Sequence, residues 1–72
     1  MIDRLSPRYQ AISQLISART RQGITQKELA QRIGTKQSAI ARFEAGSTNP
    51  SLGFLEKVAE VMGYKITINL SN

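Results

Sequence analysis

Apolar residues return every three or four positions in four successive segments of the chain, which is the spacing of amphipathic helices. The first segment begins at Ser6-Pro7, a serine N-cap followed by proline at the first helical position, and it ends at Gly23. The second opens on the pattern T-x-x-E, in which Thr25 and Glu28 can each satisfy an orphan backbone N–H, and it ends at Gly34. The predicted inward residues of these two helices are Ile12, Leu15, Ile16, Ala18, Leu29, Ala30 and Ile33.

The third and fourth segments are predicted to be helices joined by a turn-rich loop over residues 46–50. The third helix is expected to be capped by Thr35 and to end at Gly46, and the fourth to be capped by Ser51 and to end at Gly63. The predicted inward residues of this pair are Ile40, Phe43, Leu52, Leu55, Val58, Ala59 and Met62.

The end of the chain changes from helical spacing to a period of two. Apolar and polar side chains alternate, which predicts a half-buried β-strand whose apolar positions are Tyr64, Ile66, Ile68 and Leu70. No second strand is predicted to pair with it, so its backbone groups need a partner from another chain. We therefore predict that residues 64–72 are a dimerisation strand and tail, with the strand paired across the two-fold axis of a homodimer. The alternative is that this tail is disordered or packs on the helices without forming a strand.

The residue types in the chain exclude several classes of function. There is no cysteine and no histidine among the 72 residues, so a disulfide is impossible and a His/Cys zinc site has no ligands. A glycine-rich phosphate loop and a pocket carrying paired carboxylates are also missing from the sequence, which argues against an enzyme and against a bound cofactor. Because no apolar run approaches the roughly 20 residues of a membrane span and no secretory signal is visible, we expect a cytoplasmic protein.

Positive charge is concentrated in the first half of the chain. The formal net charge is +5, and residues 1–36 contain seven of the ten Lys and Arg residues but only two of the five acidic ones. Residues 37–72 are balanced, so the whole excess lies in the first half. A basic half favours a polyanionic partner, with nucleic acid ahead of a membrane surface. The alternative is a generic charge that keeps the protein soluble.

The segment from Gln26 to Ala45 meets the physical requirements of a DNA-reading helix pair. Two short helices must cross steeply over a tight turn, which needs a small contact residue such as Ala30 and a turn residue that tolerates positive φ, such as Gly34. Apolar residues must hold the second helix to the domain. Its outer face would then present to a DNA groove the residues Lys36, Gln37, Ser38, Ala41 and Arg42.

At this point the chain resembles the Xre/Cro-type family of helix-turn-helix regulators. Four blocks carry the resemblance over roughly residues 8–63, namely GITQKELA at 23–30, IGTKQSAI at 33–40, FEAG at 43–46 and NPSL at 49–52. The resemblance implies a mainly α, four-to-five-helix lambda-repressor-like domain, which we place at residues 1–63. It also implies binding to double-stranded DNA.

The resemblance implies roles for individual side chains. Gln37 and Ser38 occupy positions that read base edges in the major groove, and glutamine suits adenine because it can donate one hydrogen bond and accept another. Arg42, on the same helix face, could reach guanine or a phosphate. The positions expected to contact the DNA backbone are Gln26, Thr35 and Lys36, and the alternative for Gln26 is an ordinary surface residue. Arg19 and Glu44 match positions that form a structural ion pair in relatives.

The resemblance also narrows the kind of regulator. A short chain of this type ending in a dimerising strand is similar to the antitoxins of toxin–antitoxin pairs, whose partners are HipA-like kinases or RelE-like ribonucleases. We therefore predict a homodimeric repressor of a palindromic operator that holds a toxin inactive. The alternative is a stand-alone repressor of the phage or plasmid type. A third hypothesis, a protein-interaction module that has lost DNA binding, is disfavoured by the polar residues at positions 36–38.

Overall fold

Four helices make up the fold in the computed structural model, which describes residues 6–67. They are α1 (Pro7–Arg21), α2 (Gln26–Ile33), α3 (Gln37–Glu44) and α4 (Leu52–Val61). The predicted mainly α architecture is therefore confirmed for this part of the chain. None of the helices described is long and apolar enough to cross a membrane.

Local side-chain caps start three of the helices, as the sequence predicts. The Ser6 hydroxyl accepts a hydrogen bond from the Tyr9 N–H at the start of α1, and Ser51 caps α4 in the same way. At the start of α2 the reciprocal capping box is complete, with the Glu28 N–H donating to Thr25 Oγ1 at 3.0 Å and the Thr25 N–H donating to Glu28 Oε1 at 3.3 Å. These contacts join residues only three apart, which is why the pattern is legible in the sequence.

The start of α3 differs from the prediction. Lys36, and not Thr35, is the N-cap, and no side chain caps this helix. The reason is that the Thr35 N–H, like that of Gly34, donates to the Ala30 carbonyl at 2.9 Å, so Thr35 belongs to the end of α2. Gly34 closes that helix with φ 87°, a left-handed conformation that glycine adopts without strain.

One core gathers the inward faces of all four helices. Its most fully buried large side chains are Leu29, Ile40, Phe43 and Val58. One predicted core residue is misplaced, because Leu52 is 48% exposed. It is the first residue of α4, beyond the stretch of that helix that the core covers.

The predicted C-terminal strand is not supported in the described part of the chain, because residues 64–67 have no strand structure. Instead the Tyr64 N–H donates to the Ala59 carbonyl at 2.9 Å, which helps to terminate α4. Tyr64 is exposed, whereas Ile66 is half-buried and packs against the core. The other two predicted strand positions, Ile68 and Leu70, lie outside the described residues.

Candidate nucleic-acid interface

A three-residue connection, residues 34–36, joins α2 to α3. Ala30 of α2 is 2% exposed, and its carbonyl accepts hydrogen bonds from the N–H groups of Gly34 and Thr35 in the turn. Together with the positive φ of Gly34, these hydrogen bonds produce the tight helix-turn-helix geometry that the sequence indicates.

The α3 helix has one buried face and one exposed face. Ile40 is fully buried and Phe43 is 2% exposed, and the Phe43 ring packs edge-to-face on Phe54 of α4 with a centroid distance of 5.2 Å. The positions predicted to face DNA lie on the opposite side, where the exposed residues of α3 and its N-cap are Lys36, Gln37, Ser38 and Arg42. These exposed side chains can contact a ligand without disturbing the core, because Ile40 and Phe43 hold α3 against the domain.

The pair Arg19 and Glu44 connects α1 to the last residue of α3. Arg19 Nε lies 2.6 Å from Glu44 Oε2, and Arg19 Nη2 donates to Glu44 Oε1 at 2.8 Å. The side chains are only 13% and 8% exposed, so this two-pronged ion pair is largely shielded from water. Arg19 Nη1 also donates to the Ile24 carbonyl at 2.8 Å, which ties the loop before α2 to the same group.

Gln26 joins this cluster from the start of α2. Its Nε2 donates to Glu44 Oε1 at 3.0 Å, and the residue is half-buried. A primary amide has two N–H donors, so one remains for another acceptor, such as a DNA phosphate oxygen. We call Arg19, Glu44 and Gln26 the Arg–Glu–Gln cluster. It restricts the Gln26 side chain to a defined direction, a restraint that sequence reasoning missed because residues 26 and 44 belong to different helices.

The remaining predicted backbone contacts, Thr35 and Lys36, lie in the turn just before α3. Thr35 is half-buried and Lys36 is exposed. Because no side chain caps α3, its first backbone N–H groups can themselves serve an anion. The structure thus places Gln26 at the beginning of α2 and the residues 35–38 around the beginning of α3, at the two helix starts of the helix-turn-helix unit.

Three contacts that hold these helices in place carry no local sequence signal. Arg8 Nη1 donates to Asn49 Oδ1 at 2.8 Å, which joins the start of α1 to the loop after α3. Gln22 Nε2 donates to the Met62 carbonyl at 2.9 Å, and Arg32 Nη1 donates to the Val61 carbonyl at 3.4 Å. Each pair is at least 29 residues apart, and two of the three acceptors are backbone carbonyls, so no local pattern of residue types indicates these contacts.

Comparison with known proteins agrees with this geometry. A helix-turn-helix family model matches residues 15–69. An uncharacterized HTH-type transcriptional regulator of Haemophilus influenzae is 44% identical over 57 residues, covering 79% of this chain and 58% of that protein. Another, from Archaeoglobus fulgidus, is 40% identical over 48 residues, covering 67% of this chain and 69% of that protein. A chain in the structure of a toxin–antitoxin module from Streptococcus pneumoniae is 37% identical, with a TM-score of 0.70 over 90% of this chain and 71% of that one.

Proposed function

The chain belongs to the helix-turn-helix family of transcriptional regulators, and on that premise we propose that it is a homodimeric repressor that binds a palindromic operator sequence-specifically. The observation that carries the proposal is the exposed polar face of α3, held on the domain by the buried Ile40 and Phe43. An α-helix of this kind fits the major groove of B-DNA, where each base pair presents a distinct pattern of donors and acceptors. Repression by binding an operator in this way does not require a separate ligand-binding domain.

The side chains divide into two groups by what they would contact. Gln37 and Ser38, in the first turn of α3, and Arg42, in its last turn, read base edges. The backbone contacts are Gln26, Thr35 and Lys36, which set the register of the domain on the duplex. Arg19 and Glu44 are structural in this scheme, because both are already engaged with each other.

Gln37→Ala is expected to weaken binding to the preferred operator by about 1–3 kcal/mol and to relax the preference at one base position. The reason is that glutamine can make two hydrogen bonds to one adenine, which alanine cannot replace. The measurement is fluorescence anisotropy with the operator and with a set of single-base substitutions. Gln31→Ala, an exposed glutamine on α2 outside the predicted interface, is the matched control. An equal loss on every sequence would instead make Gln37 a backbone contact.

The proposed homodimer rests on the apolar–polar alternation at the end of the chain, although residues 64–67 have no strand structure in the described single chain. If Tyr64, Ile66, Ile68 and Leu70 share the inner face of a two-stranded ribbon that forms on dimerisation, the two recognition helices would be related by a two-fold axis and would read half-sites in successive major grooves, about 34 Å apart. Such pairing would also add buried surface to a domain of only 72 residues, a size that is marginally stable alone.

Ile68→Lys is expected to raise the dimer dissociation constant at least about tenfold, because in both copies it puts a charge on the face of the predicted strand that pairing would bury. Asn69→Lys adds the same side chain on the opposite face, where it should have little effect. Sedimentation velocity over a concentration series measures both. Equal dimer dissociation constants for the two variants would mean that this strand does not mediate dimerisation.

The similarity to a chain of a toxin–antitoxin module favours an antitoxin role over a stand-alone repressor of the phage or plasmid type. In that role the protein would act in the cytoplasm, repress its own operon and bind a toxin such as a HipA-like kinase or a RelE-like ribonuclease. Selection of genomic DNA fragments by the purified protein, at near-physiological salt, tests this. A palindrome upstream of its own gene beside a toxin reading frame supports the antitoxin, and a palindrome without such a neighbour supports the stand-alone repressor. Binding that vanishes as salt rises, without sequence preference, contradicts both.

A further inference from the structure

A groove of about 920 Å³ runs between α1, α4 and the segment 64–67. None of its lining residues comes from α2 or α3, so it shares no residue with the predicted DNA interface. Its apolar floor is formed by Leu15, Leu55 and Ala59, which are themselves only 8%, 9% and 1% exposed. Leu52 and Tyr64 stand at its edge with 48% and 44% of their surface exposed. These two are the large apolar side chains that remain most exposed in the described part of the chain.

All the charged residues that line the groove are positively charged. The groove is lined by three cationic residues, namely Arg8 and Arg21 near the two ends of α1 and Lys65 in the segment 64–67. No described lining residue is acidic. The exposed carboxylates of α4, Glu56 and Glu60, are not among the lining residues. An occupant therefore needs apolar groups for the floor and negative charge at its flanks.

We infer that this groove is a docking site for an acidic amphipathic helix of a partner protein. Residues lining the groove extend along the whole of α1, a helix of 15 residues and so about 22 Å long. A helix laid along two others buries its apolar stripe between them, and its acidic flanks would lie beside Arg8, Arg21 and Lys65.

The same observations disfavour the other occupants. A second copy docked face to face on this groove would bring its own Arg8, Arg21 and Lys65 against the same three cations, which is unfavourable. A nucleic-acid backbone would satisfy the cations but would leave Leu52 and the apolar floor without a partner. The groove shares no residue with the predicted DNA-contacting positions, but its lining includes Tyr64 and Ile66 of the proposed dimer strand, so the oligomeric state is measured alongside peptide binding.

The test uses two synthetic helical peptides and the 72-residue chain. Both peptides carry leucines at positions i, i+3, i+4 and i+7, one flanked by glutamates and the other by lysines. Fluorescence anisotropy measures affinity, and backbone amide chemical shifts locate the site. We expect the glutamate peptide to bind at least about tenfold more tightly, with shifts confined to α1, α4 and residues 64–67.

Substitutions of exposed residues test whether the peptide binds in the groove or elsewhere on the surface. Arg21→Glu and Leu52→Gln should each weaken the glutamate peptide about fivefold, whereas Lys57→Glu, an exposed charge reversal outside the groove, should not. Thermal melts verify that all three variants fold, and operator binding is recorded separately, so that failure of one surface is distinguishable from failure of the other.

Several outcomes would overturn the inference. These are equal affinity for the two peptides, no binding up to about 1 mM, or an equal loss in Lys57→Glu, which would mean attraction to net charge alone. Shifts on α3 would mean that the acidic peptide mimics DNA. Groove shifts that depend on protein concentration without any peptide would assign the groove to a second copy of the chain.

Discussion

Glu44→Ala is expected to lower the free energy of unfolding by about 3 kcal/mol and to weaken operator binding as well. Removing the carboxylate leaves the Arg19 guanidinium, 13% exposed, without its ionic partner, and breaking a buried pair in this way costs about 3–5 kcal/mol. We place the effect at the lower end because water still reaches both side chains. Gln26 also loses the acceptor of its 3.0 Å hydrogen bond.

A double variant separates these two consequences. Arg19→Met/Glu44→Leu replaces the ion pair with apolar groups and should recover most of the stability, because no unpaired charge remains. Operator binding should stay weak, since nothing then directs Gln26. Urea denaturation gives the stability and anisotropy gives the affinity, with Glu56→Ala, an exposed carboxylate, as the control. Full recovery of operator binding in the double variant would show that the cluster does not position Gln26.

Phe43→Ala is expected to lower the free energy of unfolding by about 3–5 kcal/mol, the range for deleting a buried aromatic ring. Phe43 is 2% exposed and gives α3 its edge-to-face contact with Phe54. A domain of this length has a total stability of roughly 4–10 kcal/mol, so the variant should be largely unfolded well below the melting temperature of the parent chain. Thermal and urea denaturation followed by circular dichroism measure the change.

Two companion variants identify the cause. Phe54→Ala removes the other ring of the same pair from a half-buried position, so its cost should be clearly smaller. Phe43→Leu retains most of the buried apolar volume and should lose less than about half as much as alanine. If Phe43→Ala proved no more damaging than Phe54→Ala, then Phe43 would not be the main anchor of α3.

The helices were largely predictable because their signals are local. Ser6, the Thr25–Glu28 box and Ser51 each act on an N–H three residues away, and the inward apolar residues repeat with the helical period. The errors arose where distant structure decided the outcome. Thr35 could cap α3 by residue type, but its own N–H completes α2 through the Ala30 carbonyl. Leu52 fits the apolar stripe of α4 by spacing, yet the core does not extend to that end of the helix.

The chain alone was enough to specify four helices, a tight turn at Gly34, a basic first half and an exposed polar face on α3, because propensity, capping and periodicity act over a few residues. Folding was needed to bring Gln26 and Arg19 onto the same carboxylate of Glu44, and to leave a cationic apolar groove between α1 and α4. Those features join side chains 18 or more positions apart. Their contacts depend on how the helices pack, and packing is decided by the shape and volume of the whole core.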